Sequence, residues 1–118
     1  MKIIRPAILL GGLTCIAMLP VTGHAQLKPF GASEVMRGCH AYIAQTVDES
    51  FDQGTCSGEV TVLMQFGPRF GICPPVGATI GQGVRVVVAY VDKRPARLGD
   101  DFTALAIEAL KEAWPCKR

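Results

Sequence analysis

Four cysteines, Cys39, Cys56, Cys73 and Cys116, follow an N-terminal segment built like an export signal, and this pairing limits the fold more than any other feature of the chain. Lys2 and Arg5 give the segment a positive start, and Ala7 to Leu19 is almost wholly apolar. Gly23 and Ala25 are the small residues that a signal peptidase reads. The apolar stretch falls short of the roughly 20 residues that span a bilayer. Residues 1–25 therefore read as a cleavable signal peptide, and residues 26–118 as one exported domain with no membrane partner. Cys15 follows Gly12-Leu13-Thr14, a poor match to a lipidation signal. In an oxidising compartment an even set of cysteines is a disulfide framework. Zinc needs close cysteine pairs or a Cys/His cluster; here the separations are 17, 17 and 43 residues, with only His40 nearby. A domain this small buries about two thirds of its unfolded surface, so cross-links matter to its stability.

The last segment is the clearest helix. Phe102, Leu105, Ala106, Ala109, Leu110 and Ala113 recur at steps of three and four, Asp100 or Asp101 caps the start, and Pro115 ends it. The β-branched run Val84 to Val91 would suit a strand. Thr79 and Gln82, however, form a capping box ahead of a helical stripe of Ile80, Val84, Val87, Val88 and Val91, which runs to Lys93-Arg94-Pro95. Upstream, Ser33 is expected to cap a helix carrying Val35, Met36, Cys39, Ile43 and Val47, with Asp48 to Gly54 a polar loop. Glu59 to Phe66 fits a strand or a short helix, and Pro68, Pro74 and Pro75 make Gly67 to Gly77 an extended connection. The sum is an all-α fold, a small disulfide-stapled bundle of about four helices.

The helix order bears on the cross-links. Cys73 lies just ahead of the third helix and Cys116 just past the fourth. A short connection favours antiparallel packing, which brings these two cysteines to the same end and leaves Cys39 to pair with Cys56. In the chain-entropy model the longer loop contributes about 4 kcal/mol and the shorter about 3 kcal/mol.

Catalytic chemistry is not expected. His40 is the one histidine of residues 26–118 and lies one position off the apolar face of its helix, without partners that would make it a base. Of the three serines, Ser33, Ser50 and Ser57, Ser33 and Ser57 sit where caps belong. Gly81 and Gly83 are not followed by the Lys-Ser/Thr of a phosphate loop. Asp48-Glu49 with Asp52 lacks calcium-loop spacing and reads as a solvated turn. Tyr90 and Trp114 read as core. No enzyme, cofactor or metal is expected. Removing Lys2 and Arg5 leaves ten basic against ten acidic residues, so the balance gives no reason to expect nucleic acid.

From Cys56 onward the chain runs Cys56-Ser57-Gly58, then Ile72-Cys73-Pro74-Pro75, then Val76-Gly77-Ala78-Thr79-Ile80-Gly81-Gln82. An apolar helix ending at Tyr90-Val91 follows, then Pro95-Ala96-Arg97-Leu98, and finally Ala109-Leu110 with Ala113-Trp114-Pro115-Cys116. That order resembles the Rap/Tai immunity proteins of type VI secretion systems. The resemblance implies a periplasmic helical protein that binds and blocks a secreted peptidoglycan amidase effector injected by a sister cell. Glu59 departs from the pattern, standing where a tyrosine is usual, and Val62-Leu63 replaces a small residue. The matching positions are cysteines, caps, prolines and core. The alternative is a general periplasmic helical module, such as an acid-stress chaperone, for which more acidic groups and fewer cross-links would be expected. A protein partner is expected, with a homodimer as a further assembly.

The expected contact surface is the connection between the third and fourth helices, with Lys93, Arg94, Arg97, Asp100 and Asp101. It is the most charged stretch of the exported domain, and Pro95 restricts its backbone. The Gln65 to Arg69 turn is the second candidate.

Overall fold

The computed structural model describes residues 23, 29–47 and 49–118. Apart from Gly23, the signal peptide expected over 1–25 lies outside the described residues, Cys15 included, and so does Asp48. Four helices follow one another: α1 (Ala32–Ala44), α2 (Ser50–Gln65), α3 (Ile80–Asp92) and α4 (Phe102–Ala113). Short 3-10 turns at Gly67–Phe70 and Pro95–Arg97 lie between them. Among the described residues the only β pairing is two isolated bridges, Gly31 with Asp101 and Ile72 with Pro115.

The two later helices start where their side chains dictate. The Thr79 hydroxyl accepts from the Gln82 backbone N–H at 3.2 Å, and the Gln82 side chain accepts from the Thr79 N–H at 2.9 Å. With Val84, Val87, Val88 and Val91 all buried on one face, the capping box and core packing outweigh the strand preference of that run. Asp101 caps α4, its carboxylate accepting from the Ala104 N–H at 2.8 Å. Phe102, Leu105, Ala106, Ala109 and Leu110 are buried from that helix.

The first two helices correct the sequence reading. Ser33 does not cap α1; the N-cap is Gly31, with no side-chain bond. The Ala32 and Ser33 N–H groups donate instead to the carbonyls of Asp100 and Leu98, at 2.8 and 2.9 Å. The α3–α4 connection thus satisfies donors that a helix start leaves open. At the other end α1 stops at Ala44, with Gln45 in the left-handed region at φ 56°, so Val47 falls off its face and is exposed. The expected loop before Gly54 is largely helix: α2 begins at Ser50, and Ser57 lies inside it rather than at a cap. Tertiary contact explains this. A Cβ at Gly38 would come within 2.0 Å of the Asp52 carbonyl oxygen, so the two backbones touch there. Arg37 reaches the Asp52 carboxylate at 3.6 Å. Burial of Cys56, Val60 and Leu63 settles Glu59 to Gln65 as helix, with Phe66 as its C-cap. The expected extended connection begins with the 3-10 turn 67–70, with Pro68 in its first turn.

Both bridges form as the helix order predicts. Cys39–Cys56 spans 5.3 Å between Cα atoms and Cys73–Cys116 spans 4.8 Å. The first is fully buried; in the second Cys73 is exposed and Cys116 partly so. Ile72, Val60, Val84, Val87, Val91, Phe102, Leu105 and Leu110 are among the largest fully buried side chains of the core. A Cβ at Gly83 would meet Met64 Sδ at 2.5 Å and Val60 Cγ1 at 2.8 Å, which is how closely α3 lies on α2.

Candidate partner interface

The α3–α4 connection, at the N-terminal end of α4, gathers the five predicted residues. The Arg94 guanidinium lies 3.5 Å from the centroid of the Tyr90 ring. Its Nη1 donates to the Tyr90 carbonyl at 2.8 Å, and its Nη2 lies 3.9 Å from the Glu112 carboxylate. Arg97 Nε donates to Asp100 at 2.8 Å. Its Nη1 and Nη2 donate to the two oxygens of Glu108 at 2.5 and 3.1 Å, a bidentate pair. The Tyr90 hydroxyl donates to the same carboxylate at 2.8 Å. The Arg97 and Tyr90 hydrogen bonds hold the Glu108 carboxyl down to about 2. The same contacts push the Arg97 guanidinium and the Tyr90 phenol up. Asp101 is spent on the α4 cap, and the Asp100 carbonyl on α1. Four of the five residues therefore brace α3, α4 and α1 against one another. Lys93 is exposed and makes no ion pair among the described residues. Tyr90 is a core residue on one side only; its hydroxyl belongs to the brace.

The opposite end of α4 is organised differently. Val62, Phe66 and Phe70 are 51%, 49% and 40% exposed, in order along the end of α2 and the following 3-10 turn. Arg69 lies over the Phe66 ring at 5.7 Å. The turn is anchored from below. The Ile72 N–H donates to the Gly67 carbonyl at 2.8 Å, the Cys73 N–H to Trp114 at 2.8 Å, and the Cys116 N–H to Gly71 at 3.2 Å. The Lys111 stem runs beside the turn: a Cβ at Gly71 would lie 3.2 Å from its Cε. Lys117 and Arg118 follow Cys116, and residues 60–79 and 113–118 contain no carboxylate side chain. Among the described residues Arg69, Lys111, Lys117 and Arg118 make no ion pair. Only the Gln65 to Arg69 part of this end was singled out from the sequence. The acid-free run of residues 60–79 was the signal that marks the rest.

His40 bonds Asp92 at 3.1 Å in a pair about half exposed on both sides, with no third group to orient it. Among the described residues no three His, Cys, Asp or Glu side chains gather as metal ligands. No described helix is long and apolar enough to cross a membrane.

A family model described as Rap1a immunity proteins matches residues 23–116. No curated protein and no solved structure matches the chain. The match covers all four helices and all four bridging cysteines. The chain belongs to the family of Rap1a immunity proteins.

Proposed function

We propose that this chain is exported to the periplasm and there binds and inhibits a peptidoglycan amidase delivered by the type VI secretion system of a sister cell. The observation that carries the reading is the family match over residues 23–116, because an immunity protein acts by binding a secreted effector. Two disulfides suit an oxidising compartment. A braced bundle with no convergent catalytic groups among the described residues suits stoichiometric blocking better than turnover. The test is competition in the native host. A recipient lacking this chain is expected to be killed by the parent strain, to be rescued by a plasmid copy carrying the signal segment, and to lyse with amide bonds cut in its peptidoglycan peptides. A recipient that survives without the chain overturns the immunity reading. Killing without peptide cleavage overturns the amidase assignment alone, and rescue by a copy stripped of residues 1–25 overturns the periplasmic one.

A further inference from the structure

The two ends of α4 offer a partner different things. At the brace, Arg94 or Arg97 would first have to leave the Tyr90 ring or the Glu108 and Asp100 carboxylates to turn toward a partner, and among the described residues Lys93 alone of its cations has no ion pair to leave. At the other end the cations have, among the described residues, no carboxylate to leave, and the aromatic rings are already partly in solvent. We infer that the effector docks on this C-terminal end of α4, on Phe66, Phe70, Arg69 and Lys111 with the Lys117-Arg118 tail. The surface that fits is an apolar recess rimmed by carboxylates. The inference rests on the immunity reading above and assigns its contact surface.

Three features support it. Aromatic residues and arginine are the groups that carry binding energy at protein interfaces, and here Arg69 is already laid across Phe66. The turn is also ordered before binding. Gly67 is packed so closely that a Cβ would come within 2.4 Å of the Ile72 oxygen, Ile72 is fully buried, and Cys73–Cys116 ties the turn to the end of α4. Preordering lowers the cost of docking. The charge is mainly of one sign: residues 60–79 and 113–118 hold no acidic side chain, and Glu112, the acid next to Lys111, lies 3.9 Å from Arg94, so the four cations complement a partner's carboxylates and repel a basic one. The same groups would also suit an anionic bilayer surface. The family match favours a protein.

The test uses the recipient strain lacking this chain, complemented with variants and exposed to the parent strain. Phe66→Ser with Phe70→Ser is expected to lower protection at least about tenfold, equivalent to about 1.4 kcal/mol of binding. Arg69→Glu with Lys117→Glu is expected to do the same, with both proteins accumulating and melting as wild type. Arg94→Ala with Arg97→Ala is expected to protect wherever it accumulates. Full protection by both C-terminal-end variants overturns the assignment. Loss of protection confined to the Arg94/Arg97 variant at unchanged melting temperature moves the surface to the α3–α4 connection. Survival of the recipient without any copy overturns the immunity reading, and this surface with it. A bilayer is tested separately with phosphatidylglycerol-rich vesicles. Sedimentation of wild type but not of the C-terminal-end variants, with protection intact in all, reassigns the patch to lipid.

Discussion

The α1–α2 pair and the α3–α4 pair are each tied by a disulfide, yet the cross-links do different work. In α1–α2 the bridge is part of the core. Cys39 and Cys56 are fully buried, and Cys39 directly follows Gly38, where the two backbones touch. In α3–α4 the core is aliphatic and aromatic, built on Val84, Val87, Val91, Phe102, Leu105 and Leu110. Its bridge sits outside that core and fixes a surface turn. A disulfide's place in the packing therefore matters as much as the length of loop it closes.

Chain entropy alone ranks the bridges one way. Cys73–Cys116 closes the longer loop, with a separation of 43 against 17, and should contribute more, by about 1 kcal/mol. Burial ranks them the other way, because removing two buried sulfurs also leaves a cavity. We expect burial to win. Cys39→Ala with Cys56→Ala should lower stability by about 5 kcal/mol, loop closure and packing together, and leave little folded protein at 37 °C. Cys73→Ala with Cys116→Ala should cost about 4 kcal/mol, loop closure alone, and leave a cooperative transition. Thermal melts of the two double variants decide it. A larger drop for the Cys73/Cys116 variant would mean that loop closure, not packing, sets the ranking.

Gly38→Ala probes the same contrast without touching sulfur. The added methyl would overlap the Asp52 carbonyl, a backbone group that cannot rotate away. A loss of about 2 to 3 kcal/mol is expected. Gly58→Ala, on the same pair of helices but facing open space, should be neutral or slightly stabilising, as helix propensity dictates. Equal melting temperatures for the two variants would show that the α1–α2 approach is looser than the Gly38 contact requires.

The same contrast explains what the sequence could disclose. α3 and α4 announce themselves because their caps are side chains, Thr79, Gln82 and Asp101, placed directly ahead of a one-faced apolar stripe. α1 has no such mark, since its first donors are met by carbonyls of Leu98 and Asp100, distant in the chain. α2 is apolar on two faces, Cys56, Val60 and Leu63 inward with Phe51, Val62 and Phe66 outward, which erases its period. Its first turn reads as loop until Asp52 meets α1. The cysteine pairing was legible because it needed only helix order. The pairing of the surface charges was not. Charge density picked out Lys93 to Asp101, but the partner that ties down Arg97 and Tyr90 is Glu108, a full helix segment later. Sequence counts charges and does not show which are already paired.

The brace gives the next prediction. Glu108 has its folded pKa depressed to about 2, through Arg97 first and Tyr90 second. A depressed carboxylate contributes stability that is present above its unfolded value, about 4.3, and is lost as pH falls through about 2. The side chains are more than a third exposed, so solvent screening limits the contribution to about 1 kcal/mol. Wild type should therefore lose melting temperature between pH 5 and pH 2 more steeply than Glu108→Gln, with the two curves converging at the acid end. Parallel curves would show that the Arg97 pair adds nothing in solution.

The smallest expected effect lies where α2 meets α4, and it has the opposite sign. Glu59, on α2, accepts a hydrogen bond from the Thr103 hydroxyl and is half-buried. Burial pushes its pKa up; the Thr103 bond opposes this, and the nearby Asp101 charge adds to it. A raised carboxyl contributes stability present below its unfolded value and lost as pH rises through its folded value, so at neutral pH the ionised Glu59 works against the fold. Glu59→Gln keeps the shape and an oxygen able to accept from Thr103 while removing the charge. It should raise stability at pH 7 by less than about 1 kcal/mol, given the exposed half of the side chain. At pH 3, where Glu59 is protonated in both states, the gain should vanish. The pair Glu59 and Glu108 thus gives opposite pH slopes from two carboxylates on neighbouring helices, one held by an arginine and one by burial. A destabilising Glu59→Gln at pH 7 would mean that the charged carboxylate earns more from Thr103 than it loses to burial.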